Sequence, residues 1–401
     1  MVLLKRSVLL ILISNFFVYF GIMMIIAFMP QYMLLLGTPR PILQIISTIF
    51  LTTLFIFPYI FGKYSDKIQN RRYFIIIGTA GMIVTPFLLL FTTDLILITL
   101  IYFILGVFAS ASSIFFTLYT ELVQNNSKWI SYYNALTALG WFIGVQIAGI
   151  FIEFYGSITI AFYLSFFSLL ISMVFIIFIK EDRQIILKAA TEHIKVDIKN
   201  SESNHDDEIL FSKSIYFGIF FRSMGIQPIM VILVVIMGFH LSSNAEIGFL
   251  IGLNPLLQFF LMVFLGMLFT GKNEKFFMFF GYCLSVLVIF GFLLATNFWS
   301  FLLSQFLVAL SYSIYWMATI TYISKNSTPK NKGKYIGFAS TCGFAGNALG
   351  GLFLGFLLII VNSDYYIAMY FMLLFPILAL LLILLSRKKL FSLPKGVQSL
   401  N

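Results

Sequence analysis

Charge is what this sequence has least of. Only 10% of its 401 residues are charged while 61% are hydrophobic, and the mean hydropathy is +1.02. So little charge on so much apolar side chain excludes an ordinary soluble domain and points to a polytopic membrane protein. Cysteine is nearly missing: Cys283 and Cys342 both fall inside apolar runs, so neither a disulfide framework nor a thiolate metal site is expected. The three histidines, His193, His205 and His240, are scattered, and neither a Gly-rich phosphate loop nor a His-Glu-x-x-His pattern occurs. Without a convergent acid, base, nucleophile or metal cluster, the chain lacks the machinery of a membrane-embedded enzyme, and no metal or cofactor is expected. The rings of charge or the symmetric filter that an ion channel would want are missing as well.

What the chain has is long apolar runs. Segments of alternating polarity about ten residues long would indicate a membrane barrel, but here the runs are about 20 residues or longer and nearly uncharged, which predicts helices. Twelve spans are expected, at 8–36, 41–62, 73–92, 95–120, 131–153, 157–179, 213–239, 245–269, 275–295, 298–323, 334–361 and 364–386. Lys5 and Arg6 precede a first run far longer than a signal peptide's core, so that run reads as a retained span. The net charge of +10 reflects topology rather than nucleic-acid binding, because the cations cluster in alternate loops. Of all Lys and Arg residues, only Arg40 falls outside and only Arg222 within the bilayer, which puts both termini in the cytoplasm of a cell-membrane protein.

The expected organisation is an N-terminal six-helix half at 1–180, a cytoplasmic linker at 181–212 and a C-terminal six-helix half at 213–401. Ile185, Ile186, Leu187, Ile194 and Ile198 could give the linker one greasy face on the inner leaflet; the alternative is a solvated connector. The halves look like copies. At an offset of 204, Phe16-Phe17 and Gly21-Ile22 fall on Phe220-Phe221 and Gly225-Ile226, and Gly62 falls on Gly266. Ser113 to Phe116 resembles Ser313 to Trp316 at 200, and Gly140 falls on Gly343 at 203.

Between the second and third runs lies a polar stretch from Gly62 to Arg72, read as a tight loop at the membrane face. It resembles the signature of the major facilitator superfamily: Gly62, Asp66, Lys67, Arg71 and Arg72 match, and Gln69 stands where the family usually has a second glycine. The resemblance, with the two parallel halves, covers nearly the whole chain and implies the fold and activity of that family. The fold would be an all-α membrane protein of twelve helices in two pseudo-symmetric halves, working as a permease whose halves rock about a midplane site. It also implies a gate, in which Asp66 meets the start of the eleventh span near Tyr335 and Ile336, with Gly62, Arg71, Arg72, Glu121 and Lys128 in the same latch; the alternatives are that Asp66 only caps or stiffens its own loop and that Glu121 is a solvated surface acid. Glu121 lies about 40 Å along a helix from Asp94, beyond a hydrocarbon core of about 30 Å, so it is interfacial.

Arg222 is the sharpest single residue. It lies nine residues beyond Lys213, about 13 Å along a helix, where an unpaired guanidinium is costly unless it faces a wet cavity or a partner. Its counterpart at offset 204 is Val18, so the repeat does not demand it. It reads either as a cavity cation for an anionic substrate group or as an arginine snorkelling to the interface or bonded to carbonyls. In the family's fold the first, fourth, seventh and tenth helices line the cavity, which adds Asn15, Tyr19, Tyr312 and Trp316 to the substrate candidates, with Trp141 of the fifth span. The same polar groups could serve instead as interhelical glue.

Aromatic, acid-poor surface favours export of drugs or other hydrophobic compounds, with uptake of a sugar or an organic anion as the alternative. The family's antiporter glycine series departs here, with Val145 at the proline position, and Tyr102 stands where an efflux arginine would precede Gly106. The expected partners are a small-molecule substrate, the lipid bilayer and a candidate coupling proton; nucleic acid is not among them, and a monomer is expected. A non-transporting sensor on the same fold is the remaining alternative.

Overall fold

The computed structural model describes residues 2–68, 70–123, 127–179, 213–268, 274–325 and 329–385. Among them run twelve helices long and apolar enough to cross a membrane. They are α1 (Val2–Leu35), α2 (Arg40–Ile68), α3 (Arg71–Leu89), α4 (Leu95–Leu122), α5 (Ser127–Tyr155) and α6 (Thr159–Ile177). After the undescribed stretch come α7 (Lys213–Gly238), α8 (Asn244–Leu268), α9 (Glu274–Leu294), α10 (Phe298–Lys325), α11 (Pro329–Ile360) and α12 (Tyr365–Leu385). In hydrocarbon every backbone polar group must be satisfied within its own segment, which is why such apolar runs fold as helices. The expected linker at 181–212, with its proposed greasy face, lies outside the described residues.

Two local features depart most from the sequence reading. The stretch from Gly62 to Arg72 is not a loop: α2 continues through it to Ile68 and α3 resumes at Arg71. Its lysines form helix readily once the chain has left the membrane, and a single glycine does not stop it. The fourth span is interrupted at Ser110 and Ala111, where the backbone bonds three residues back to Val107 and Phe108. There the Ser110 hydroxyl donates to Gly106 O at 2.8 Å and Thr53 O at 3.3 Å, drawing α4 onto α2.

Within each half, glycine brings one helix against its neighbour's main chain. A side-chain carbon on Gly140 would lie 2.5 Å from Phe16 O, and one on Gly144 would collide with Phe20 O, so α5 sits directly on α1. The same seam recurs between α11 and α7, where Gly346 faces Phe220 O and Gly350 faces Met224 O. Phe16 and Phe220 keep the offset of 204, but the glycine opposite them is Gly346, not Gly343. The fifth and eleventh spans therefore correspond at 206, and the expected pairing at 203 is corrected. Gly343 is only in ordinary contact, 3.6 Å from Ile219 and Ser223.

The buried apolar side chains divide by level. At the end of the bundle away from the chain termini, the far end, one continuous core joins both halves and includes Met29, Met33 and Ile152 with Ile232, Ile236 and Leu354. At the opposite, basic end they form two separate cores. One belongs to the first six helices, with Ile11, Phe74, Leu118 and Ile176, and one to the last six, with Ile215, Met278, Tyr322 and Ala339, to which Phe277 links a smaller cluster of Leu265, Leu284 and Ile314. The halves are thus fastened at the far end and parted at the basic end. The far-end fastening runs along two helix pairs: α2 meets α11 where Gly351 receives Thr48 and Gly355 receives Ile45, and α5 meets α8 where Gly149 and Gly248 touch.

Gly346→Ala is expected to lower the melting temperature in detergent by several degrees, as overpacking costs about 1–3 kcal/mol. Gly343→Ala should leave it unchanged, and equal melting temperatures for the two would return the register to 203.

Candidate functional site

Arg222 sits in α7 at the level where the shared core divides, since Ile219 belongs to the basic-end core and Ile226 to the shared one. It is 4% exposed. Its Nε donates to Ser285 Oγ of α9 at 2.7 Å and its Nη2 to Ser311 Oγ of α10 at 3.3 Å. The guanidinium carbon lies 3.9 Å from the centroid of the Tyr315 ring and 5.6 Å from that of Tyr312. The two serines also bond each other at 2.7 Å, and both reach Gly281 O. Hydroxyl dipoles and ring faces, rather than a carboxylate, thus solvate this charge. Every carboxylate among the described residues lies within two positions of a helix end.

Tyr312 and Trp316, a turn apart on α10, stack at 6.2 Å and are only half-buried, so they present the aromatic edge of this cluster. Ser285, Ser311 and Tyr315 were not singled out from sequence. Ser311 and Tyr315 belong to the hydroxyl and aromatic run from Ser311 to Trp316 that could have marked them, whereas Ser285 is an ordinary serine in an apolar helix.

The N-terminal candidates lie at a similar level. Asn15 is fully buried and donates to Thr137 Oγ1 at 2.7 Å and Tyr133 O at 3.4 Å, which ties α1 to α5. Its Oδ1 is without a partner. Tyr19 and Trp141 are half-buried and pack on the shared core. Arg222, Tyr312 and Trp316 are therefore brought together, while Asn15 is engaged within its own half.

At the basic end, Arg71 forms a two-pronged bond with Glu121, Nε to Oε2 at 2.8 Å and Nη2 to Oε1 at 2.6 Å. Its Nη1 lies 3.2 Å from Asp66 Oδ1. Asp66, whose side chain is 68% exposed, thus pairs across the α2–α3 turn, in place of the expected reach to the start of α11. Arg72 donates to Ile177 O at 2.5 Å, a cation at the C-terminal end of α6. Gly62 lies inside α2 with open space beside it. Lys128 falls in the first turn of α5, and its side chain is outside the described residues.

No curated protein matches this chain significantly. Among solved structures, the nucleoside transporter NupG is similar with a TM-score of 0.74 at 12% identity, over 96% of this chain and 100% of that one. A mutant of the peptide transporter POT in complex with sulfate gives 0.76 at 12%, over 96% and 94%. The human organic anion transporter TETRAN gives 0.64 at 12%, over 95% and 99%. At such identities the likeness is one of fold. The family model described as Major Facilitator Superfamily matches residues 11–210 and 215–397, so that both six-helix groups are covered. With twelve membrane-crossing helices, no strand among the described residues and that match over nearly its whole length, the chain belongs to the major facilitator superfamily, as a multi-pass transporter of solute.

Proposed function

We propose that this chain is a secondary carrier that moves a small organic solute across the cytoplasmic membrane by rocker-switch alternating access. It works as a monomer, with the basic end and both termini in the cytoplasm. The observation that carries the reading is a coincidence of level: Arg222, Tyr312, Trp316, Asn15, Tyr19 and Trp141 all lie where the shared far-end core gives way to two separate basic-end cores. A solute entering between the parted halves would stop there, against the Tyr312–Trp316 stack with Arg222 behind it.

That surface is aromatic and lacks carboxylates, which favours export of hydrophobic, drug-like compounds. Arg222 favours a second reading, uptake of an organic anion, or of a sugar held through hydroxyls; an organic anion transporter is among the proteins of similar fold. A permanent cation is disfavoured in either case, because the nearest fixed charge is positive. A coupling proton would have to bind at a helix end, since the described acids are all there.

Asp66, Arg71 and Glu121 form the basic-end latch in this reading. Each stands at the end of its helix that the backbone dipole disfavours: Asp66 and Glu121 near C-termini, Arg71 at an N-terminus. When the basic ends close, the exposed Asp66 carboxylate swings to the N-terminus of α11, where an anion is favoured.

Counterflow in proteoliposomes with a mixed panel of metabolites and dyes tests the reading: aromatic neutral or anionic compounds should exchange and permanent cations should not. No exchange of any compound would remove the carrier reading. Arg222→Gln should abolish selectivity for anions over neutral analogues. Arg222→Met should keep the melting temperature or raise it, because the two serines remain bonded to each other and a buried charge without a carboxylate is lost. Asp66→Asn should slow exchange severalfold without lowering the melting temperature; unchanged exchange would sink the latch.

A further inference from the structure

Two charges at the far end are also set against their own helices. Arg40 is the first residue of α2, where the helix terminus is already partly positive, and Glu153 is in the last turn of α5, where it is partly negative. Both are met by the opposite half. Glu153 Oε2 accepts from Ser243 Oγ at 2.5 Å and from Ala245 N at 2.9 Å, so a carboxylate of α5 caps the first turn of α8. Arg40 Nη1 donates to Ser363 O at 2.8 Å, just past the C-terminal end of α11. Its guanidinium also lies 5.0 Å from the Phe239 ring centroid and 4.9 Å from that of Tyr365. Gln31 Nε2 of α1 also crosses between the halves, donating to Asn244 Oδ1 at 3.1 Å.

The polarity is complementary. An anion sits at the N-terminus of α8 and a cation beside the C-terminus of α11, each supplied by the antiparallel helix packed against it across the interface. In contrast, Asp364 bonds Tyr366 N and Ile367 N and so caps its own helix. Charges that cap their own helices stabilise a half by itself. Arg40 and Glu153 are satisfied only while the halves touch.

We propose that Arg40 and Glu153 form a two-point clasp that holds the far end shut, one point on each of the helix pairs α2–α11 and α5–α8. Opening the far end strips the cap from α8 and leaves each charge at the unfavourable terminus of its own helix, so the clasp biases the carrier toward the state open at its basic end. The clasp deepens the alternating-access reading, yet its effect on far-end opening is measurable without any substrate.

The test is labelling by a membrane-impermeant maleimide, in a background with Cys283→Ser and Cys342→Ser. Thr48→Cys reports the far end, because Thr48 is fully buried against Gly351 of the opposite half. Phe344→Cys reports the basic end, since Phe344 is exposed and lies seven residues before Gly351 on the same face of α11. Arg40→Gln and Glu153→Gln should each speed labelling at position 48 about threefold, and together about tenfold, while labelling at position 344 slows. Asp364→Asn should change neither. Unchanged labelling at position 48 in the double variant would overturn the clasp. So would acceleration at both positions, which marks loosening rather than a switch, or an equal response to Asp364→Asn. If the labelling behaves as expected and no compound exchanges, the clasp stands and the carrier reading falls.

Discussion

A charge carried into or beside hydrocarbon must be met by something, and this requirement orders the polar structure of the whole molecule. Arg222 meets hydroxyls and ring faces. The remaining charges discussed here stand at helix ends, where unsatisfied amides and carbonyls supply partial charges of either sign. What distinguishes them is whose helix they serve. Asp364 lies at a terminus that its sign suits, whereas Arg40, Glu153, Asp66, Arg71, Arg72 and Glu121 lie at termini of their own helices that it does not, Arg72 being met by the C-terminal end of α6.

The mismatch makes most sense on α2. This helix carries a cation at its start and an acid near its finish, both opposed to its own dipole. It packs antiparallel to α11, whose ends would welcome the same two charges. Arg40 already bonds beside the C-terminal end of α11, while Asp66 is turned to Arg71 and largely exposed. One helix pair thus has an engaged contact at one end and, at the other, an acid paired within its own half instead of with α11, the arrangement a two-state seesaw needs. The C-terminal half differs: Glu274 and Lys325, 3.8 Å apart at the starts and ends of α9 and α10, both suit their own helices.

How much of this was legible in the sequence follows from what sets each feature. The twelve helices were, because the thickness of a bilayer dictates run length and composition. The polar stretch after Gly62 was recognised by its residues, but its shape was not, because helix propensity does not end where apolar composition does. The pairing of Gly140 was off by three residues, since a glycine-rich span offers several matches and only the carbonyl of Phe220 selects Gly346. Arg222 could be placed in depth by counting from Lys213, but its serines come from positions 63 and 89 residues away, beyond any local pattern. Glu153 is likewise visible in the sequence as an acid near the end of its span, but its partners, 90 and 92 residues on, lie in the other half.

The displaced glycine register has a bearing on ancestry. The first and seventh helices correspond at 204 residues and the fifth and eleventh at 206, yet the contacts of glycine on carbonyl that join them are the same in both halves. Length has drifted in the segments between, where an added residue disturbs no packing, and not along the seams, where one would rotate every glycine off its carbonyl. The chain reads as a duplicated six-helix gene whose connecting turns have aged faster than its joints.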